Sequence, residues 1–264
     1  LNGVDVVFLA RHGRGHRLMP SELNHKANIY GMKSLGVTKI VSVSAVGSYR
    51  QELRPRDIVL VHQFFDRTKR SSDHTFFGDG IVAHIQFSDP VCAALRQTVF
   101  KAARQTLRKQ QQAASDNPET APAVHDGGIY VNMEGPAFST KAESLMFKSW
   151  GADVIGMTNL AEAKLSREAE LCYTTMAMVT DYDAWHEEVE AVSVEQIVRI
   201  LQQNAAAAKQ IIAEALPDIA ALERNCGCSN ALETAVITSP DAFPTTTREK
   251  LAIFLDKYFP ASSV

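Results

Sequence analysis

Short runs of consecutive apolar residues alternate along this chain with longer stretches in which apolar residues return every three or four positions. These are the rhythms of buried strands and of helices with one wet face. Residues 4–10 (VDVVFLA) and 37–44 (VTKIVSVS) read as strands, the second rich in β-branched side chains. Between them Ser21 reads as the N-cap of a helix whose Leu23, Ala27, Tyr30 and Leu35 share a face and which Gly36 closes. The pattern then repeats: strand 57–65, helix 90–110, strand 129–133, helix 141–150, strand 152–157, helix 162–170 and strand 172–180. A long amphipathic helix follows at 194–216, with Val194, Ile197, Leu201, Ala205, Ala208 and Ile212 on one side. Such alternation over residues 1–264 predicts a single α/β domain, with a mixed, mostly parallel central sheet flanked by helices on both faces. Residues 111–124 have the composition of a surface loop. Beyond Pro217 the pattern weakens, so 217–264, ending in a short helix at 248–258, are expected to form an appendage, packed on this chain or on a neighbouring subunit.

Composition narrows the field without naming a chemistry. At 45% hydrophobic residues the chain has enough apolar side chains for a sizeable core. Its 27 Lys and Arg against 30 Asp and Glu leave a net charge of −3, too little to hold a nucleic acid or an anionic membrane by a global field, so any anion must be caught locally. No apolar run approaches the roughly 18 residues of a membrane-spanning helix, and no secretory leader is visible, which points to the cytoplasm. Four cysteines are too few for a disulfide scaffold, and free thiols are expected. Cys226-Gly227-Cys228 is one residue short of the usual metal-knuckle spacing and has no partner pair nearby, so no metal is expected.

In open α/β sheets ligands gather outside the carboxyl ends of strands. Three strand ends stand out. Arg11-His12-Gly13-Arg14-Gly15-His16-Arg17 puts three arginines, two histidines and two turn-making glycines directly after the first strand, a cation cluster suited to an oxyanion; the alternative is a solvated basic turn. Ser44-Ala45-Val46-Gly47-Ser48 could cradle a phosphate through its hydroxyl and N–H groups, or be a plain small-residue turn. Asp181 and Asp183 end the very apolar strand TTMAMV, where carboxylates are costly unless they bind something, such as a nitrogen-bearing ring edge; otherwise they cluster ahead of the next helix, which Ser193 already caps.

Together with MPSELNHKAN at 19–28, MEGPAFSTKAES at 133–144, GADVIGMT at 151–158 and TDYD at 180–183, these segments make the chain resemble the methylthioadenosine phosphorylases, within the wider family of trimeric purine nucleoside phosphorylases. The likeness runs from Leu1 to about Leu216. It implies that phosphate attacks C1′ of methylthioadenosine and releases adenine and 5-methylthioribose 1-phosphate, with phosphate as co-substrate and no metal or organic cofactor. Arg11, His12, Ser44, Ala45 and Thr158 fall on the family's phosphate positions. Phe138 and Met157 fall on positions that pack against ribose and purine, and Ser139 and Asp183 on positions near the base. Asp181 is the implied acid, since departing adenine needs a proton near N7 and a shielded carboxyl can supply one. Relatives acting on 6-oxopurines carry Asn there, so Asp favours a 6-amino purine. The resemblance further places Val194 and Ile197 at the 5′-alkylthio group and His84 in the site of an adjacent subunit, in a homotrimer or a dimer of trimers.

Three departures bear on selectivity and completeness. Ala137 stands where the family has Arg in EGPRF, and Thr158-Asn159-Leu160-Ala161-Glu162 replaces its TxxPE. Members also begin with a strand and a Gly-rich phosphate loop, which this sequence does not show before Leu1. A C-terminal CxC forms a disulfide in a subset of the family. Two other readings remain at this level: a purine nucleoside phosphorylase with another base or 5′ preference, and a nucleoside-binding relative without turnover.

Overall fold

The structure is a computed structural model that describes residues 1–114, 121–186 and 194–260. Helix α1 (His25–Ser34) leads into the long strand β1 (Lys39–Ser48). Strands β2 (Ile58–Leu60) and β3 (Gln63–Arg67) precede helix α2 (Ala93–Ala114), and β4 (Val124–Asp126) and β5 (Ile129–Met133) precede α3 (Lys141–Ser149). Then come β6 (Val154–Gly156), α4 (Asn159–Glu168), β7 (Cys172–Tyr182), α5 (Val194–Ala221) and two short helices, α6 (Thr245–Lys250) and α7 (Ala252–Leu255). The seven strands form one sheet in the order β3-β5-β6-β1-β7-β2-β4, with four parallel and two antiparallel pairings. This is the mixed, mostly parallel sheet that the alternation predicts.

The sheet curls on itself. Strand β3 is one edge of the strand order and β2 stands next to the other, yet only Val61 and His62 separate them, so their ends lie within about 11 Å. The turn from β4 to β5 makes the same crossing, where the Gly128 N–H donates to His62 Nδ1 at 2.8 Å. Val46, Leu53, Val59, Val61, Tyr130, Val154, Ala177 and Val179 fill the inside of the curl. Outside it, Ile29 of α1 and Ala163 and Leu165 of α4 pack with Ile40 and Tyr173, while Leu95 and Val99 of α2 and Ile211 of α5 pack with Met176 and Met178.

Several elements differ from the sequence reading. Residues 4–10 form no strand: Phe8 is 70% exposed, and the segment lines a cavity of about 960 Å³ together with residues of β1 and α5. An apolar run becomes a strand only where a neighbour supplies a ladder, and β1 pairs on its β6 side only through Gly47 and Ser48. The predicted strand 57–65 is two strands, Ile58–Leu60 and Gln63–Arg67, and the crossing falls at Val61-His62, where polar His62 and Gln63 interrupt the apolar run. The cap of α1 is Asn24, whose side chain accepts from the Ala27 N–H at 3.0 Å; Pro20 forces a single 3₁₀ turn at Pro20–Glu22 before it, so Ser21 caps nothing. The predicted helix 248–258 is broken at Leu251 into α6 and α7. Pro217 lies inside α5, and Leu232, Leu251, Phe254 and Leu255 of the C-terminal stretch are buried in the same cluster as Tyr173. Of the loop read at 111–124, residues 111–114 instead continue α2 and Val124 opens β4, while 115–120, like Ser193, lie outside the described residues.

One buried carboxyl makes this packing pH-sensitive. Glu168 on α4 accepts from the Thr75 hydroxyl at 2.7 Å and the Phe76 N–H at 2.6 Å, tying the 75–77 segment to the helix. Burial nevertheless pushes its pKa up from 4.5 to about 7. Between those values the folded chain holds a proton that the unfolded chain releases, so stability falls as pH rises through that window. A melting profile from pH 5 to pH 8 should show this fall, and Glu168→Gln should flatten it; an unchanged profile in the variant would place the effect elsewhere.

Candidate active site

The site is built where the two central strands end. Strands β1 and β7 run parallel in register from Lys39↔Cys172 to Val46↔Val179, and then the register slips so that Gly47 faces Asp181 and Ser48 faces Tyr182. The irregularity places one extra residue, Thr180, on β7 and re-aims the two carboxylates beyond it, a common use of a bulge beside a site. Gly47 is closely packed opposite them: a Cβ there would stand 3.2 Å from the Ile155 side chain, 3.5 Å from Asp183 Cβ and 3.7 Å from Asp181 Oδ2.

Asp181 accepts from the Thr180 hydroxyl, and burial, with a smaller contribution from Asp183, raises its pKa above the ordinary carboxyl value. Asp183 is held through its backbone, whose N–H donates to Ser48 O at 3.0 Å, and Trp185 Nε1 donates to the same carbonyl at 2.7 Å. Oδ2 of Asp183 and the hydroxyl of the fully buried Tyr49 are shielded polar atoms without a hydrogen-bond partner in the described structure. Burial and the Asp183 charge push the Tyr49 phenol up, so it stays a neutral donor. A carboxyl whose pKa is raised, a second carboxyl with an unpartnered oxygen and a phenol thus gather at one edge, a set suited to a ring offering both donors and acceptors.

The cationic end is held by a buried polar network. Arg11 donates from Nη1 to Ser42 Oγ at 2.8 Å and from Nη2 to Val43 O at 3.2 Å, and its Nη1 lies 3.0 Å from Glu162 Oε1. Burial works against the guanidinium charge, but Glu162 overcomes it and keeps the Arg11 pKa raised. Ser42 and Tyr173 donate to Glu162 Oε2 at 2.7 and 2.9 Å, and Asn159 Nδ2 donates to Ser42, Tyr173 and Thr175. His12 stacks on His16 with ring centroids 4.3 Å apart, its Nδ1 is 2.9 Å from Leu18 O, and burial lowers its pKa, leaving the ring neutral at pH 7. Thr158 is buried at the N-terminus of α4, and Ser44 is buried on the face of β1 that Ser42 shares, whereas Ala45 is exposed.

Between the two ends, Met157 sits against Gly135, where a Cβ would come within 2.5 Å of its sulfur; Gly135 also takes a φ of +71°. Asn132 fixes this corner by donating to Met157 O at 3.2 Å and accepting from the Leu160 N–H at 3.0 Å. Ser139 Oγ lies 3.9 Å from Met133 Sδ, and Phe138 is 85% exposed. His84 is exposed on the segment whose Ala83 bridges Val236, with its N–H donating to Ala235 O. The side chains of Val194 and Ile197 lie outside the described residues. The sequence reading missed Tyr49, Asn159, Tyr173 and the partner role of Glu162. The available signal was polar residues at positions that must be buried, Asn159 and Glu162 at i, i+3 on one helix face and Tyr173 and Thr175 inside an apolar strand.

The family model of the phosphorylase superfamily matches residues 1–217. The S-methyl-5′-thioadenosine phosphorylase of Geobacter sulfurreducens is 54% identical over 258 residues, 98% of this chain and 85% of the relative. The chain belongs to the methylthioadenosine phosphorylase family. Its relative of the same name from Koribacter versatilis is 54% identical over 98% of this chain and 83% of its own length. Among solved structures, a methylthioadenosine phosphorylase from an antarctic soil metagenomic library superposes with a TM-score of 0.87 at 44% identity, covering 97% of this chain and 85% of that one. The family member from Schistosoma mansoni, solved with adenine, gives 0.76 at 33% identity over 86% of this chain and 82% of its own.

Proposed function

We propose that this chain is a pentosyltransferase that catalyses the phosphorolysis of 5′-methylthioadenosine. A phosphate oxygen bonds to C1′ as the bond from C1′ to N9 breaks, the electron pair leaves with adenine, and Asp181 delivers a proton at N7; the second product is 5-methylthioribose 1-phosphate. The observation that carries this reading is the shielded Asp181 beside the unpartnered Asp183 oxygen and Tyr49 hydroxyl, in a chain half identical to enzymes of that name. Asp183 and Ser139 hold the base, Met157 and Phe138 the base and ribose, and Val194 and Ile197 the 5′-alkylthio group. Arg11, His12, Ser44, Ala45 and Thr158 gather the phosphate.

The larger part of the catalysis is placement of phosphate beside a C1′ that gains positive charge, in a site that preorganises its dipoles. Phosphate enters as co-substrate, and no organic cofactor or catalytic metal takes part. His84 reaches the site of a neighbouring subunit in a homotrimer or a dimer of trimers, and the enzyme works in the cytoplasm on free nucleoside, without nucleic acid or membrane. No helix among the described residues is long and apolar enough to cross a membrane. The test is incubation with methylthioadenosine with and without phosphate. Adenine should appear only with phosphate. Release without it would make the chain a hydrolase, and binding without release would make it a nucleoside-binding relative.

A further inference from the structure

Far from this site, all four cysteines converge. Cys92 precedes α2, Cys172 opens β7, and Cys226 and Cys228 come from the turn after α5. Their sulfurs all lie within 4.8 Å of one another, with Cys172 to Cys226 at 3.4 Å and Cys92 to Cys226 at 3.7 Å. Four sulfurs at the corners of a tetrahedron around a zinc ion, each bonded at ~2.3 Å, stand ~3.8 Å apart. The spacings are close to that edge. Cys226 is near both Cys92 and Cys172, which is the mutual closeness of one ligand shell and not the grouping of two separate pairs.

The surroundings favour such a shell. Three of the four cysteines are buried in the apolar cluster that contains Leu95 and Met176, so thiolates there need a counter-charge. The backbones are fixed by the sheet: the Cys92 N–H donates to Tyr173 O at 2.8 Å and the Cys172 N–H to Thr38 O at 3.0 Å. Cysteine pairs one residue apart supply only half of this set, and the other two ligands lie 54 and 134 residues upstream of Cys226, which is why ligand spacing in the sequence did not find it.

We propose that Cys92, Cys172, Cys226 and Cys228 form a tetrathiolate site for a thiophilic divalent metal ion, zinc above all, that clamps the C-terminal stretch to the starts of α2 and β7. Nine residues of β7 at ~3.3 Å each put it ~30 Å from Asp181, so the ion is structural and touches no reacting atom.

The test uses the full chain, produced without a histidine tag and purified anaerobically without chelator. Elemental analysis should find one zinc per chain, and a mercurial should release it as four thiols become titratable. Exchange with cobalt should give the visible bands of tetrahedral sulfur coordination, and Cys172→Ser should bind substantially less metal. Stripping zinc should lower the melting temperature while leaving kcat on methylthioadenosine unchanged at a temperature where the stripped chain stays folded. Iron in place of zinc would keep the site and correct the ion. Four freely reactive thiols without metal, or two disulfides in acid-quenched peptides, would overturn the proposal. Should Cys172→Ser fail to fold, the cobalt spectrum and zinc content of the unaltered chain decide alone.

Discussion

Asp181→Asn should lower kcat on methylthioadenosine by about 10²–10⁴-fold, the range in which a positioned general acid acts. The substitution keeps the shape of the side chain and removes the transferable proton. It also removes the repulsion from Asp183 and the burden of a buried carboxyl, the two causes that raise the Asp181 pKa, so the variant should melt no lower than the parent. Loss of turnover with retained stability separates chemistry from folding. The pH profile gives a second reading: protonated Asp181 is depleted as pH rises through its raised pKa, so the parent should lose kcat on the alkaline side and the variant should not show that limb. Asparagine also offers an amide N–H toward position 6, so inosine-type substrates should gain relative to methylthioadenosine. An unchanged kcat, or an unchanged preference together with an unchanged pH profile, would remove Asp181 from the role of acid.

Arg11→Met should be the most destabilising single change at the site, costing about 3–5 kcal/mol, because it strands the Glu162 carboxylate in a largely buried position. For a chain of this size that corresponds to a melting temperature lower by roughly 10 °C or more. Ser42 and Tyr173 would still donate to Glu162, yet neither supplies charge. The double variant Arg11→Met with Glu162→Gln should recover most of the loss, since no orphan charge remains. Its KM for phosphate should stay elevated at least tenfold, because the Arg11 cation proposed to draw phosphate to this end of the site is gone. Recovery of phosphate affinity along with stability would show that Arg11 serves the fold alone.

Much of the architecture was legible because the alternation of strand and helix leaves a regular trace in apolar spacing. The strand at Ile129–Met133 has the predicted limits, and the strands that carry Ser44 and Asp181 both form. Long-range partnership leaves no such trace. Residues 4–10 have strand composition and no ladder, while the stretch 57–65, read as one strand, crosses from β2 near one side of the sheet to the edge strand β3 on the other. Tyr49 and Asn159 matter through what stands opposite them in space, and the four cysteines meet only after α2, β7 and the C-terminal turn have come together. Single positions with an unambiguous chemistry, such as the aspartates ending a buried strand, were readable; sets assembled across the sheet were not.

The pairing of β1 with β7 also sets a schedule for the newborn chain. Lys39 faces Cys172 at the centre of the sheet, so β1 leaves the ribosome 133 residues before its partner, about 7–27 s earlier at ~5–20 residues per second. Throughout that interval the Ser42–Val46 stretch has no ladder on its β7 side, and neither end of the site exists. Assembly of the catalytic centre and closure of the central ladder are therefore one late event in biosynthesis, and a rare-codon pause placed before Cys172 should prolong the interval in which nascent chains need a chaperone.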